Sequence, residues 1–200
     1  MIRVLLALTI LTAGCQTAPS PEAPAEPTSP AVAEPAPPEA VTEVGLVLDI
    51  DGLRFIRGAS AQPVPFGTDL ESTVEMVSAL RGEPAERGTH EECGAGPLAF
   101  ASWNDGLTLW GMDGEFQGWA VGAEDEAGTY TTMTGLGIGS TQADLDGAYT
   151  AVIEETTLGR EFYVGEEEAE IAGLSGLLND EGSDGPIVTS MWAGVSCNFR

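Results

Sequence analysis

The stretch Asn179-Asp180-Glu181-Gly182-Ser183-Asp184-Gly185 crowds carboxylate, amide and hydroxyl oxygens onto consecutive residues. Hard cations such as calcium take oxygen donors of this kind from short loops. Asp180 and Asp184 are the candidate ligands, although the same string also suits a plain surface turn. Asp144-Leu145-Asp146-Gly147 carries part of an EF-hand spacing. With Asp146 at the fifth position, the first would be Gln142 and the twelfth Ile153, so required carboxylates are missing and this register is excluded.

Hydrolytic chemistry has other candidate residues. Glu124-Asp125-Glu126 and Glu166-Glu167-Glu168-Glu170 could supply two carboxylates flanking a glycosidic bond, one as acid and one as base or nucleophile. Nothing in their spacing selects a pair. His90 is the sole histidine and lies in the polar stretch 88–92, which reads as a surface loop. Gly173-Leu174-Ser175-Gly176 falls one residue short of the G-x-S-x-G elbow that presents a nucleophilic serine. Gly135-Leu136-Gly137-Ile138-Gly139 invites a nucleotide reading, but Ser140 stands where a dinucleotide loop needs its third glycine, and no lysine is present for a phosphate loop. That run reads as a turn leading into a helix, and no cofactor is expected.

The charge balance narrows the partners. The chain has 32 acidic residues against seven basic ones, a formal net charge of −25. Nucleic acid requires basic groups over its phosphates and is excluded as a partner. The acidity suits a solvated surface, or one that meets cations or a basic partner.

Leu11-Thr12-Ala13-Gly14-Cys15 closes a short apolar run that begins just after Arg3. The run is too short to span a bilayer, which takes about 20 apolar residues. Small residues directly before a cysteine, with a Pro-rich stretch beyond, resemble the lipobox of bacterial lipoproteins. The resemblance implies that residues 1–14 are a signal peptide, that the Cys15 thiol carries lipid, and that the protein is anchored in the cell envelope. In a host with two membranes it implies the outer one. Thr12 departs from the pattern, which more often has leucine there. Residues 16–43 include eight Pro and seven Ala among scattered Glu. Such a composition cannot bury an apolar face and predicts a tether reaching ~85 Å at about 3.1 Å per residue. With Cys15 acylated, Cys93 and Cys197 are left as a pair, and an oxidising compartment predicts a disulfide between them.

Residues 44–200 then form one domain. Leu70, Val74 and Val77, with Met76 and Leu80, recur at helical steps and predict a helix over about 69–81, opened by a Thr68–Glu71 capping box and closed at Gly82. A shorter helix is expected over about 141–149, capped by Ser140 or Thr141. Apolar runs at 98–103, 107–111 and 116–121 are broken by Asp105-Gly106 and Asp113-Gly114 and predict hairpins. Further strands are expected at 46–49, 53–56, 161–164, 169–174 and 187–192. The fold class is α+β, with two tandem helix-plus-antiparallel-sheet units (about 44–125 and 126–200) and strand content above helix content. Trp103, Trp110, Trp119 and Trp192 fall on or at the ends of these strands. The first three are candidates for a binding surface, where aromatic residues dominate.

Two sets of residues carry a layout resemblance: Phe66-Gly67-Thr68 with Val74 and Leu80, and the glycine run to Ser140 with Asp144-Leu145 and Ala148-Tyr149. They resemble tandem-repeat extracytoplasmic bacterial domains, and the helix-then-sheet unit of the β-lactamase-inhibitor protein and of the small lipoprotein of the outer-membrane barrel-assembly machinery. The resemblance implies protein binding across a sheet face and transfers no catalytic residue. The expectation is a lipid-anchored, non-catalytic protein-binding module with an envelope partner that is basic. The alternatives are an envelope-polymer hydrolase using paired carboxylates and a calcium-binding lipoprotein.

Overall fold

Antiparallel pairing between short apolar runs dominates the fold, as the turn spacing predicts. The computed structural model describes residues 44–122, 125, 129–165, 173–180, 182–183 and 185–197. Among these, eleven strands and two helices form two antiparallel sheets. The fold is therefore a strand-rich α+β. No helix among the described residues is long and apolar enough to cross a membrane.

The first sheet is the meander β1 (Val44–Asp49), β2 (Gly52–Arg57) and β3 (Ser60–Pro65). Pro63 and Pro65 lie on β3, an edge strand, where a missing N–H is tolerated. Helix α1 (Leu70–Arg81) follows, then β4 (Glu86–His90), β5 (Leu98–Ser102), β6 (Leu107–Met112) and β7 (Glu115–Val121). Helix α2 (Gln142–Ala148) is followed by β8 (Val152–Thr156), β9 (Gly159–Val164), β10 (Leu174–Asn179) and β11 (Ile187–Gly194). The last eight strands make one sheet in the order β4-β5-β6-β7-β11-β10-β9-β8.

Local chemistry explains the element boundaries. Helix α1 is capped one residue later than the Thr68–Glu71 box predicts. The Asp69 carboxylate accepts from the Ser72 N–H at 2.8 Å, while the Thr68 hydroxyl turns back to the Pro65 carbonyl. The helix stops at Gly82, whose φ of 82° suits a glycine. Thr141 caps α2 in a reciprocal box with Asp144. The β6–β7 turn places Asp113 at φ 54° and Gly114 at φ 85°, the two positive angles of a type I′ hairpin.

Both helices pack on the same face of the large sheet. Leu70, Val74 and Val77 of α1 and Leu145 of α2 join Leu107, Leu109, Trp119, Phe162, Val188 and Met191 in one buried cluster, to which the first sheet adds Leu48, Leu53 and Val64. Gly111 is required at the α1 contact, because a β-carbon there would strike the Leu70 side chain and crowd the Glu115 carbonyl.

Four strands depart from the expected pattern. Strand β3 and strand β8 lack strong apolar alternation. Strand β4 covers the expected surface loop around His90 and is exposed at every residue. Strand β10 begins at Leu174, where the expected strand 169–174 ends, and residues 166–172 lie outside the described ones.

Candidate functional site

The other face of the large sheet carries no helix or strand among the described residues. Pairing registers define what it displays. One continuous cross-strand row runs Glu86–Ser102–Thr108–Ala120–Trp192–Ser175–Tyr163–Val152, one residue from each of the eight strands. Alternation puts every second residue of each strand on this face. A parallel row adds Gly88, Phe100, Trp110 and Gly118. A third adds Glu154, Glu161, Leu177 and Ser190.

An aromatic cluster sits at the β4 end of this face. The His90 ring stacks on Phe100 at 4.6 Å between centroids, and Trp110 lies 5.7 Å from His90 and 5.9 Å from Phe100. Gly88 makes room for Phe100, since a β-carbon at Gly88 would sit 2.9 Å from the Phe100 ring edge. His90 is exposed and Phe100 half-buried, whereas Trp110 is 9% exposed. The Trp110 indole N–H is buried and finds no acceptor among the described residues.

The cover over Trp110 is the end of the chain. Cys93 and Cys197 are joined by a disulfide across 104 residues of sequence. The Val195 N–H donates to the Gln117 carbonyl at 2.8 Å, and the Val195 backbone rests where a Gly118 side chain would be. Cys93, Leu98 and Trp110 form a small second core with Phe100, Met112, Ala120, Val195 and Cys197 packed on it. The disulfide thus straps residues 195–197 over one part of the helix-free face. Towards the other edge, Val152 is 49% exposed and Glu154 is exposed. Glu86, Glu91 and Glu92 are exposed around the aromatic cluster.

Other expected site residues fall elsewhere. Trp103 and Trp119 are core residues. Trp119 is fully buried and donates to the Asp49 carbonyl at 2.7 Å, and Trp103 donates to the Gly82 carbonyl at 2.8 Å. As binding-surface candidates both are corrected, because their rings fill the space beneath the helices and the first sheet. Trp110 alone of the three lies on the helix-free face, and it is buried there beneath residues 195–197. Ser175 is in a central strand beside Trp192 and Tyr163 and presents no elbow. Asp180 pairs with Arg160 at 3.4 Å, so its carboxylate faces an arginine. Asp184, Cys15 and the Glu124, Glu126 and Glu166–Glu170 carboxylates lie outside the described residues. No group of three or more His, Cys, Asp or Glu side chains is gathered as for a metal among the described residues.

Sequence reasoning missed a partly buried polar network that joins the end of α1, the β5–β6 turn and Tyr130. The Asp105 carboxylate accepts from Arg81 at 2.9 and 2.6 Å and from the Tyr130 hydroxyl at 2.7 Å. Burial pushes Asp105 upward, but the Tyr130 hydroxyl and the Arg81 guanidinium outweigh it and hold the carboxyl below its usual range. Burial and the adjacent Asp105 charge push the Tyr130 hydroxyl well above its ordinary value. Asp125 is 2% exposed and accepts from the Tyr130 N–H at 3.3 Å. Burial raises its pKa, and the Asp105 charge adds to that. Asp125 stands within the acidic cluster 124–126, but burial is a tertiary property that the cluster itself does not signal.

No family model, curated protein or solved structure matches this chain.

Proposed function

We propose that this protein is a lipid-anchored cell-envelope module that binds another protein across the helix-free face of its large sheet, without catalysis. The observation that carries the reading is that face itself: the exposed His90 ring stacked on the half-buried Phe100 beside the covered Trp110, a row crossing all eight strands, and exposed carboxylates along its margins. A flat surface with aromatic anchors inside a charged rim is the usual anatomy of a protein interface. The carboxylates and the net charge of −25 favour a basic partner segment. Acylation of Cys15 would hold the module at the membrane, and residues 16–43 would set its reach.

The proposal includes an internal duplication. Helix α1 is followed by β4 to β7, and α2 by β8 to β11, each set an antiparallel meander, and the two meet at the pairing of β7 with β11. The repeated units would then each be a helix plus four strands, an order that supports the tandem reading. The first sheet has no counterpart in the second half among the described residues.

The test is site-specific photo-crosslinking in cells. A photoreactive residue replaces His90 or Val152 on the proposed face, or Asp146 on α2, each with Cys15 intact or changed to Ser. The same envelope protein captured from both face positions, absent from the α2 position and reduced by Cys15→Ser, is the expected result. Equal capture from the α2 position, or none from the face, refutes the reading.

A further inference from the structure

The first sheet reaches beyond the core it helps to close. Strand register sorts its inner face into three cross-strand rows. Leu48, Leu53 and Val64 form the first and are buried in the core. Leu46, Phe55 and Gln62 form the second, and Val44, Arg57 and Ser60 the third. Opposite these outer rows stand Met76, Ala79 and Leu80 on the last turns of α1, leaving an open cleft of about 380 Å³. Phe55, Met76 and Leu80 are only half-buried, so each keeps apolar surface that no described residue covers.

Arg57, which lines this cleft, is unlike the other described arginines. Arg54, Arg81, Arg87 and Arg160 each pair with a carboxylate, and the Arg57 guanidinium pairs with none among the described residues. In a chain with 32 acidic residues against seven basic ones, a guanidinium kept clear of carboxylates is the exception. Its planar fork of donors matches a carboxylate. Ser60 lies across from Arg57 in the register and Gln62 on the next row, so a hydroxyl and an amide flank the same spot. The cleft is therefore amphipathic, cationic and hydrogen-bonding on one side and apolar on the other. Its volume lies near the lower end of the ~300–1,000 Å³ that small-molecule sites occupy, which suits a small ligand and not a folded partner.

We propose that the cleft between the first sheet and α1 binds a small amphiphile with one carboxylate head and an apolar tail, of the chemical class of a medium-chain fatty acid. The head sits on the Arg57 guanidinium beside the Ser60 hydroxyl, and the tail lies between Phe55 of the sheet and Met76 and Leu80 of α1. Charge complementarity selects the head, since a neutral or cationic one leaves Arg57 unpaired. Burial of the tail supplies most of the affinity, and the head sets orientation and selectivity. The cleft lies on the helix side of the large sheet, so the inference goes beyond the protein-binding reading of the other face and stands without it.

The full-length chain tests this through the methyl resonance of Met76, labelled with ¹³C and assigned by Met76→Leu. The probes are decanoate, 1-decanol and decyltrimethylammonium, each below its micelle concentration. Decanoate should move the Met76 signal saturably and at the lowest concentration of the three. Long-range attraction to a chain of net charge −25 favours the cationic probe everywhere else on the surface, so the opposite order at Met76 reports Arg57. Arg57→Gln should weaken decanoate about two- to fivefold, the range expected for a partly exposed ion pair, and leave decanol unchanged. Arg57→Glu should place decyltrimethylammonium ahead of decanoate, a gain that a misfolded variant would not show. Ala79→Leu narrows the cleft without loss of a helix-forming residue and should weaken all three probes. No saturable movement at millimolar decanoate overturns the proposal, as does decanol binding as tightly as decanoate, or an order of probes unchanged in Arg57→Glu. So does a Met76 signal that changes when the chain alone is diluted, which would assign the cleft to a second copy.

Discussion

Removing the disulfide should act on the fold in two separable ways. Cys93 and Cys197 close 104 residues of chain. Restricting a loop of that length in the unfolded state is worth about 4.7 kcal/mol in the chain-entropy model, and about 2–4 kcal/mol in typical measurements. The double variant Cys93→Ser, Cys197→Ser should therefore lose about 2–4 kcal/mol in urea. At a slope of about 2 kcal/mol per molar, this lowers the midpoint by about 1–2 M with the slope unchanged. The second effect is local. Residues 195–197 are held by the disulfide, by the Val195 bond to Gln117 and by contact with a small core whose buried members among the described residues are Cys93, Leu98 and Trp110. Without the disulfide this strap should open in the native state, uncovering Trp110 while Trp103 and Trp119 stay in the main core. Acrylamide quenching in native buffer, with Trp110→Phe as the control, reads this directly: quenching should rise in the double variant and not in the one lacking Trp110. A midpoint shift below about 0.3 M would refute the loop-closure argument. Unchanged quenching would refute the strap.

Three further outcomes follow from particular contacts. Asp125 has a raised folded pKa, so its contribution to stability is full below its unfolded pKa and is lost as pH rises through the folded value. Asp125→Asn, which cannot ionise, should gain stability relative to the parent chain as pH rises from about 4 to 7, and parallel melting curves with a constant gap would refute this. Gly118→Ala should cost about 1–3 kcal/mol, as overpacking does, and should raise Trp110 quenching without reduction of the disulfide, because the new methyl occupies the place of the Val195 backbone. Thr141→Ala removes the α2 cap and should cost about 1 kcal/mol in urea, with Asp144→Ala additionally removing a carboxyl that the Thr141 hydroxyl and N–H hold below its usual pKa.

How far the sequence discloses this molecule depends on the range of the forces concerned. Helix α1 and helix α2 are legible because their caps and apolar steps act within a few residues, and even there Asp69 rather than Thr68 takes the cap. The hairpin at Asp113-Gly114 is legible because only certain residues accept its positive φ angles. Strand β4 is not. Glu86-Arg87-Gly88-Thr89-His90 has no alternation to read, and it is a strand because its backbone pairs with β5 and its Gly88 admits the Phe100 ring. Strand β8 is hidden for the same reason, since Glu154 and Glu155 mask a segment defined by its pairing with β9.

The tryptophans show the same limit from the side of function. Trp110 and Trp119 lie on neighbouring strands with similar surroundings in sequence, and nothing local separates them. The register does. Leu109 pairs with Trp119 and points under the helices, so Trp110, one residue on, must point to the opposite face. A one-residue slip would exchange the two roles. Gly118, opposite Trp110, faces the same side and is covered by Val195, so the glycine and the disulfide serve one end. Together they lay a strap over a sheet face that carries no helix among the described residues, while Trp192, Ser175 and Glu161 further along it are buried and only the β8 edge, at Val152 and Glu154, is exposed.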